Sequence, residues 1–440
     1  MAWLFNIAYL LLLIVISPWL LYRSWRTGRY RRGWAEKLLG HAPKLTRDRF
    51  RIWFHAVSVG EVNLLAPLLE GIARERPEWE CVISTTTDTG YELAREKYSE
   101  HTVFYAPLDF TWAVDRALAN IAPDLLVLAE LELWPNLIRR AAGGDVKVAV
   151  VNARLSEKSF RGYRRLGWLM RSVLQQLDGI AAQNMDYAKR FELLGIPTER
   201  IHTTGSIKFD NAQTDRENER TRRMRTLAGI DNSEKVFLAG STQAPEEALA
   251  IGVYKQLHDA HPDLRLILVP RHPERFDTVA RLLNESGLLW KRRSQFDDLT
   301  ADNDSAHAGK PVLLIDTVGE LGAWWGVAYI AFVGGSMGTR GGQNMIEPAA
   351  YGAAVSFGPK TKNFRDVVEM MKQEDCATVV HDQQEMTEFV RECLTNPVKT
   401  GEMEERAKRL VIAQQGATQQ TIQFLLAIAG SVQIRQREAA

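Results

Sequence analysis

The sequence has few cysteines, the residues that stabilise small folds through disulfides or bound metals, and it carries almost no net charge. Among 440 residues it has 3 cysteines, and their wide spacing offers neither a disulfide framework nor a zinc motif, which is typical of a reducing compartment. The histidines suggest no metal cluster either, since His258 and His261 suit a solvated helix face. A net charge of +1 gives no reason to expect a nucleic-acid partner. No G-x-x-x-x-G-K-[ST] motif is present, so a P-loop is not supported.

One long hydrophobic run stands at the amino terminus. Residues 3–22 are almost unbroken in apolar character, and about twenty such residues are what a bilayer core requires. A cleaved signal peptide would carry its positive charge first, whereas here the arginine-rich run 23–32 follows, which favours a body in the cytoplasm. Trp19 and Tyr22 suit the membrane interface. We therefore expect residues 1–22 to be an uncleaved membrane anchor or a deeply inserted helix, with a buried globular helix as the alternative.

Beyond residue 22, short apolar runs alternate with helical patterns in both halves of the chain, which predicts parallel sheets. The polar stretch 210–223 predicts a linker followed by the first helix of a second domain. We predict an α/β protein with two Rossmann-like domains, 23–210 and 211–430, that face each other across a cleft. Residues 402–430 are predicted as one helix, and residues 431–440 as a frayed tail. The predicted strands are 51–58, 81–86, 102–106, 124–130, 147–152, 179–183, 201–205, 235–240, 264–269, 311–315, 328–334, 353–357 and 377–380.

Charged residues stand at the ends of several predicted strands in the first half. Glu61 follows a strand and a glycine turn, at the carboxyl edge where open α/β sheets bind their ligands. Ordinary capping of the next helix is the alternative for this residue. Glu130 and Glu132 also follow a strand, and a buried carboxylate there needs a partner or a task. The alternative for that pair is an acid that caps the helix beginning at Trp134–Pro135. Lys208 lies at the junction of the domains, where it could neutralise a phosphate or simply be solvated.

Three loops in the second half are suited to phosphate, because each follows a predicted strand and contains glycine or arginine. They are Pro270–Arg275, Asp316–Glu320 and Gly334–Glu347. Glycines bring backbone N–H groups close to an anion, arginines add directed donors, and Glu347 could accept from ribose hydroxyls. These loops suggest a nucleotide in the second domain and an activated acceptor in the first. The reaction that fits is glycosyl transfer from a nucleotide sugar, with Glu61 as the general base.

The motifs closely resemble those of the 3-deoxy-D-manno-octulosonic acid (Kdo) transferases of lipopolysaccharide assembly. The resemblance runs from the apolar amino terminus to about residue 425, and the matching segments are 54–61, 85–90, 130–136, 152–156, 205–210, 270–275, 316–320 and 344–347. It implies a GT-B fold and an inner-membrane position that faces the cytoplasm. It also implies CMP-Kdo as the donor, the tetra-acylated lipid A precursor (lipid IVA) as the acceptor, and no metal in the transfer.

The same resemblance implies roles for individual residues. Glu61 would be the proton acceptor, and Glu130 and Lys208 would stabilise the transition state. Transfer from a β-linked donor to an α-linked product implies inversion by direct displacement. The residues implied to hold CMP are Arg271, His272, Val318, Gly319, Glu320, Asn344, Met345, Ile346 and Glu347.

Two positions depart from the family pattern. Gln243 and Gln343 stand where relatives usually carry histidine, although glutamine can still hydrogen-bond through its amide. Two other functions stay open at this point. One is another membrane-anchored GT-B glycosyltransferase that uses a UDP-sugar, and the other is a catalytically inactive nucleotide-binding scaffold.

Overall fold

The structure is a computed structural model that describes residues 2–27, 32–295 and 310–438. The chain forms two compact units. The first unit contains Met1–Asn211 and Gln415–Ala440, and the second contains Ala212–Gln414. Each unit is built on one seven-stranded parallel sheet, which confirms the prediction of two α/β domains with parallel sheets.

The first sheet has the strand order β3-β2-β1-β4-β5-β6-β7. Its strands are β1 (Arg51–His55), β2 (Glu80–Thr85), β3 (Thr102–Tyr105), β4 (Leu125–Ala129), β5 (Lys147–Ala153), β6 (Gly179–Ala182) and β7 (Ile201–Thr203). The helices of this stretch are α1 (Ala2–Thr27), α2 (Trp34–Leu39), α3 (Val59–Glu75), α4 (Asp88–Lys97), α5 (Thr111–Ile121), α6 (Pro135–Gly143), α7 (Glu157–Arg165), α8 (Gly167–Leu174) and α9 (Met185–Leu193). Separate apolar clusters cover the two faces of the sheet, which is why its central strands are apolar at every position.

The second sheet has the strand order β10-β11-β9-β8-β12-β13-β14. Its strands are β8 (Lys235–Thr242), β9 (Leu264–Pro270), β10 (Trp290–Arg292), β11 (Val312–Leu314), β12 (Ile330–Val333), β13 (Ala354–Phe357) and β14 (Ala377–Val379). The helices are α10 (Glu219–Leu227), α11 (Glu246–Leu257), α12 (Phe276–Ser286), α13 (Leu321–Trp325), α14 (Ile346–Ala350), α15 (Arg365–Gln373), α16 (Gln383–Thr395) and α17 (Pro397–Gln414). The short strand β10 is missing from the prediction because its three residues, Trp-Lys-Arg, carry no apolar run.

Each sheet has one place where the strand order reverses. In the first sheet β1 pairs with both β2 and β4, so the loops after β1 and β4 leave in opposite directions. In the second sheet β8 lies between β9 and β12 in the same way. Open parallel sheets bind ligands at the carboxyl end of such a switch point. The fold therefore points to the loops after β1 and β4 in one unit, and after β8 and β12 in the other.

The carboxyl terminus returns to the first unit, which corrects two predictions. The helix predicted over 402–430 is broken at Gly416, whose φ is +98°, and the chain continues as α18 (Ala417–Glu438). Asp210 fixes this break, because its carboxylate accepts hydrogen bonds from the backbone N–H groups of Gly416 and Thr418. Residues 415–430 thus belong to the first unit and not to the second domain, and the predicted frayed tail is helical through Glu438.

Apolar burial holds α18 in place. Ile422, Phe424 and Leu425 are buried in the same cluster as the strands of the first sheet. Two glycines leave room for them: a Cβ on Gly71 would lie 2.1 Å from Ile422 Cδ1, and one on Gly179 would lie 2.7 Å from the Phe424 ring. Burial of an apolar side chain of this size contributes about 1.5–3 kcal/mol to stability, so these residues hold α18 against the first unit.

The predicted anchor forms helix α1, and its first turns pack on the first unit. Asn6 is buried, where it donates to Thr111 Oγ1 (2.8 Å) and accepts from Asn136 Nδ2 (3.2 Å). Tyr9 meets the Phe110 ring edge-on at 6.3 Å. Among the residues that the structure describes, no helix combines the length and apolar character needed to cross a bilayer. Residues 28–31 of the predicted basic run lie outside the described residues.

Candidate active site

Glu61 lies at the switch point of the first sheet and caps α3. Its Oε2 accepts from the Val57 N–H (2.8 Å) and its Oε1 accepts from the Ser58 hydroxyl (2.7 Å). In return the Ser58 hydroxyl accepts from the Glu61 N–H (3.3 Å), which completes a capping box. Burial raises the pKa of Glu61, the bonds from Ser58 and Val57 oppose the rise, and the nearby Glu130 charge adds to it. The capping alternative is therefore correct for this residue, and it leaves a buried carboxylate at the ligand edge.

Glu130 and Lys208 meet on the same edge. The Lys208 ammonium lies 2.8 Å from Glu130 Oε1, and both side chains keep partial contact with solvent. The backbone is tightly turned here, since Glu130 after β4 and Asn152 in β5 have φ angles of +55° and +51°. The Asn152 side chain accepts from the Ile207 N–H (3.2 Å) and so positions the turn that carries Lys208. Residues in this sparsely populated conformation cost of order 1 kcal/mol or more each and cluster at functional sites.

Asp109 is the acid that caps α6. Its two oxygens accept from the backbone N–H groups of Asn136 (2.9 Å) and Leu137 (2.8 Å), while Trp134 at the N-cap position provides no side-chain bond. The prediction offered Glu130 or Glu132 as this cap, and that alternative is wrong. A cap supplied from the loop before α5 leaves no signal near Pro135 in the sequence. The consequence is that neither glutamate carboxylate is used to cap α6.

Glu132 is a third carboxylate in this group. Strand β4 ends at Ala129, so Glu130 and Glu132 both lie in the turn that follows it. Glu132 Oε2 accepts from Trp134 Nε1 (3.0 Å). Burial raises the pKa of Glu132 to about 7, and the charges of Glu61 and Glu130 add to the rise. The Glu-x-Glu spacing signalled this residue, and the structure places both acids after the end of the strand.

A buried histidine, His55, lies at the end of β1 beside these carboxylates. The His55 Nδ1 lies 2.9 Å from Ser84 Oγ, which also accepts from Trp53 Nε1 (2.7 Å). Burial lowers the pKa of His55 to about 4, so the ring is neutral at physiological pH. His55 packs edge-on to Trp134, with ring centroids 5.9 Å apart, and thereby supports the Glu132 turn.

In the second unit, Glu246 and Glu247 position the predicted phosphate loops. The Glu246 carboxylate accepts from four backbone N–H groups at 2.8–2.9 Å, those of Gln243, Gly335, Ser336 and Met337. It thus joins the loops after β8 and β12 across the switch point. Glu247 forms a bidentate ion pair with Arg275, with both N–O distances 3.0 Å, and so ties down the loop after β9. The sequence did not reveal these two residues, since acids at a helix start are ordinary.

Some of the predicted CMP-binding residues are exposed to solvent, and others are buried or already bound to other side chains. Val318 is 78% exposed beside Gly319, whose φ is +91°, so their backbone can meet a ligand. Glu320 is already held by Arg293 through N–O contacts of 3.0 and 3.1 Å. Met345 and Ile346 have fully buried side chains, which leaves only their backbone for contact.

Arg271 and Glu347 lie close enough to interact. Burial raises the pKa of the Glu347 carboxyl, whereas the bond from Asn344 Nδ2 (2.9 Å) and the Arg271 charge lower it. Asn344 Oδ1 also accepts from the Ile346 N–H (3.1 Å), which fixes the start of α14. His272 precedes the short 3-10 turn Pro273–Arg275 in extended conformation. Arg271, Asn344 and Glu347 are therefore neighbours, and His272 adjoins them along the chain; their binding of CMP stays a prediction.

The two departures from the family pattern lie in the loops of this unit. Gln243 donates its backbone N–H to Glu246, and the Gln343 side chain lies against Gly335, where a Cβ would be 3.1 Å away. In the described part of the chain, no group of three or more His, Cys, Asp or Glu residues could hold a metal ion. A cavity of ≈ 440 Å³ beside Arg51 and Glu80 lies at the opposite, amino edge of the first sheet, away from the switch point.

Comparison with known proteins links this geometry to a chemistry. Residues 28–211 match the family described as 3-Deoxy-D-manno-octulosonic-acid transferase (kdotransferase). A 3-deoxy-D-manno-octulosonic acid transferase from Haemophilus influenzae is 31% identical over 95% of this chain and 97% of its own length. The transferase of the same name from Bordetella pertussis is 33% identical over 85% of this chain and 86% of its own. A glycosyltransferase structure from Rickettsia africae shares the fold, with a TM-score of 0.55 at 10% identity over 88% of this chain and 99% of that one.

Proposed function

Because this chain belongs to the 3-deoxy-D-manno-octulosonic acid (Kdo) transferase family, we propose that it moves Kdo from CMP-Kdo to a hydroxyl of the lipid A precursor. Family membership makes the protein a Kdo-transferring glycosyltransferase, and its fold is GT-B-like. The observation that carries it is the buried Glu61 carboxylate at the sheet edge, beside the Glu130–Lys208 pair.

Glu61 is proposed as the general base. As the acceptor oxygen bonds to the anomeric carbon of Kdo, its proton passes to Glu61, and the bond from that carbon to the phosphate oxygen breaks. CMP leaves with the electron pair, so a single displacement inverts the anomeric carbon without a covalent intermediate. A base works best when its pKa is brought toward the working pH, and burial moves Glu61 in that direction. The amino terminus of α3 keeps the ionised form accessible.

Positive charge for the leaving group is proposed to come from side chains. Lys208, oriented by Glu130, stabilises negative charge that develops in the transition state. In the second unit, Arg271 and the backbone of the Val318–Glu320 and Asn344–Glu347 loops hold CMP, with Glu347 accepting from the ribose. Glu320 acts through Arg293 and keeps its loop in shape. In this proposed step no metal is required, because Lys208 and Arg271 supply the positive charge.

The lipid acceptor places the reaction at a membrane, and α1 is proposed to rest on the cytoplasmic face of the inner membrane. Beyond its docked first turns, α1 exposes Leu11 (59%), Val15 (76%) and Trp25 (79%). An exposed apolar helix face of this kind lies in the lipid interface. Replacing Leu11 and Val15 by Glu should reduce co-sedimentation with anionic vesicles. The matched change at the exposed Val398 of the second unit should not, and equal binding of both variants would contradict this placement.

Donor choice tests the function directly. Purified protein is incubated with the lipid A precursor and either CMP-Kdo or a set of UDP-sugars, and the product is identified by mass spectrometry. We expect release of CMP and a lipid heavier by one or more Kdo residues. Turnover only with UDP-sugars would replace this function by another glycosyl transfer. An absence of turnover with every donor would favour the inactive nucleotide-binding scaffold.

A further inference from the structure

A small pocket in the second unit has three cationic side chains and no acidic one in its lining. Its volume is ≈ 300 Å³, and its lining residues are Gly338, Thr339, Gly341, Pro359, Lys360, Thr361, Lys362 and Arg365. The lining comes from the loops that follow β12 and β13, which are neighbouring parallel strands, so the pocket lies at the ligand edge of the sheet. We call it the cationic pocket.

The charges of the cationic pocket are not neutralised. Lys360, Lys362 and Arg365 form no ion pair with any residue in the described ranges, and no carboxylate lines the pocket. Three like charges on two short loops repel one another, and an anion placed among them would relieve this repulsion. The arrangement therefore favours an anionic ligand.

The two loops are held in register before any ligand binds. The Lys360 N–H donates to the Ser336 carbonyl (2.8 Å), and Asn363 Nδ2 donates to the Arg340 carbonyl (2.9 Å). Gly341 has a φ of +93°, and a Cβ there would lie 2.4 Å from Lys362 Cγ, so this glycine lets the lysine stem cross the loop. The cations thus stand on a fixed backbone, which lowers the entropic cost of binding.

The chemistry of the proposed donor indicates which anion fits. CMP-Kdo carries two anionic groups, the phosphate and the carboxylate of the sugar acid, and both are attached to the same anomeric carbon. Arg271 and the nucleotide loops already account for the phosphate. The loop that lines the cationic pocket continues directly from Gly341 into the Asn344–Glu347 stretch, so the pocket adjoins the nucleotide site.

We propose that the cationic pocket binds the carboxylate of the transferred sugar and thereby selects an acidic sugar over a neutral one. This inference rests on the proposed function. A neutral sugar would leave the repulsion among the three cations in place, whereas the sugar carboxylate would offset it. Lys360 and Lys362 are the specificity-determining residues, and the cavity is of the size that takes one sugar.

The test compares donor and free nucleotide in the full-length protein. In the variant with Lys360→Ala and Lys362→Ala together, kcat/KM for CMP-Kdo should fall by about tenfold or more, because charge-assisted hydrogen bonds are lost. The inhibition constant of CMP, which has no sugar carboxylate, should stay within about twofold of wild type. The paired change Lys360→Arg and Lys362→Arg keeps the charge and should restore most of the activity. Lys372→Ala, at an exposed lysine in the last turn of α15, is the matched control and should change nothing.

Each result is decisive. Equal weakening of CMP and CMP-Kdo would show that the pocket acts on the nucleotide phosphate, and an unchanged kcat/KM would show that it binds no part of the donor; both overturn the inference. If wild type turns over CMP-Kdo and the double lysine variant is equally active, the role of the cationic pocket is refuted but the proposed function is not. No turnover by wild type refutes the proposed function itself.

Discussion

A substitution of Glu61 separates its two roles, because the chain contains a second capping box that has no catalytic part. Glu61 accepts from the Val57 N–H (2.8 Å), and Glu385 accepts in the same way from the His381 N–H (2.9 Å). In both helices the N-cap side chain accepts in return from the glutamate N–H. Glu61→Gln and Glu385→Gln therefore both alter a glutamate that caps a helix start, but only the first removes the proposed base.

The expected magnitudes differ enough to be told apart. A glutamine keeps one amide oxygen for the backbone N–H, so each change should alter the free energy of unfolding by no more than about 1 kcal/mol. Loss of a general base lowers kcat by about 10²–10⁴, which corresponds to about 3–5 kcal/mol in activation free energy. The effect of Glu61→Gln on the barrier should thus exceed its effect on folding several-fold.

The assay measures kcat at saturating CMP-Kdo and lipid acceptor, beside urea unfolding of the same samples. Wild-type kcat should fall as the pH drops through the raised pKa of Glu61, since the base must be ionised. Glu61→Gln should lack this acid limb, and Glu385→Gln should keep both the limb and full activity. If Glu61→Gln stays within about fivefold of wild-type kcat, the assignment of the base is wrong. If the two variants lose activity equally, the loss comes from folding.

Three further changes test the surroundings of the site. The pKa of Glu132 is raised to about 7, so the charged carboxylate destabilises the fold at high pH. Glu132→Gln should therefore be more stable than wild type at about pH 8, and the gain in stability should shrink toward about pH 5. A difference in urea unfolding that does not change with pH would refute this. Asp109→Ala leaves two buried helix N–H groups unpaired and should cost about 1–3 kcal/mol in chemical denaturation, whereas Asp109→Asn should cost less. Glu247→Met leaves the Arg275 charge without its partner and should lower the free energy of unfolding by about 3 kcal/mol. The double variant Glu247→Met/Arg275→Met should recover most of that stability. A double variant no more stable than the single one would contradict this pairing.

The elements of the fold could be predicted because buried parallel strands are apolar at nearly every position. Val127 and Leu266 lie in such runs and have no exposed surface, so hydrophobicity alone marks their strands. The edge strand at Trp290–Arg292 lacks this signal and was missed. The helix predicted over 402–430 shows a different limit. Its helical pattern continues across Gly416, and only the bonds to Asp210 reveal that the chain turns there and returns to the first unit.

The sequence by itself determined the alternating α/β pattern and the strand ends that carry Glu61, Glu130 and Lys208. Both follow from local chemistry, since apolar runs form strands and the loops after parallel strands meet at one edge. Only the tertiary structure decided that Asp109 caps α6, that Glu246 joins two loops, and that α18 packs on the first unit. Each of these contacts joins residues that are distant in the chain. Hydrogen bonding and burial depend on distance in space, so the pattern around any one residue does not encode them.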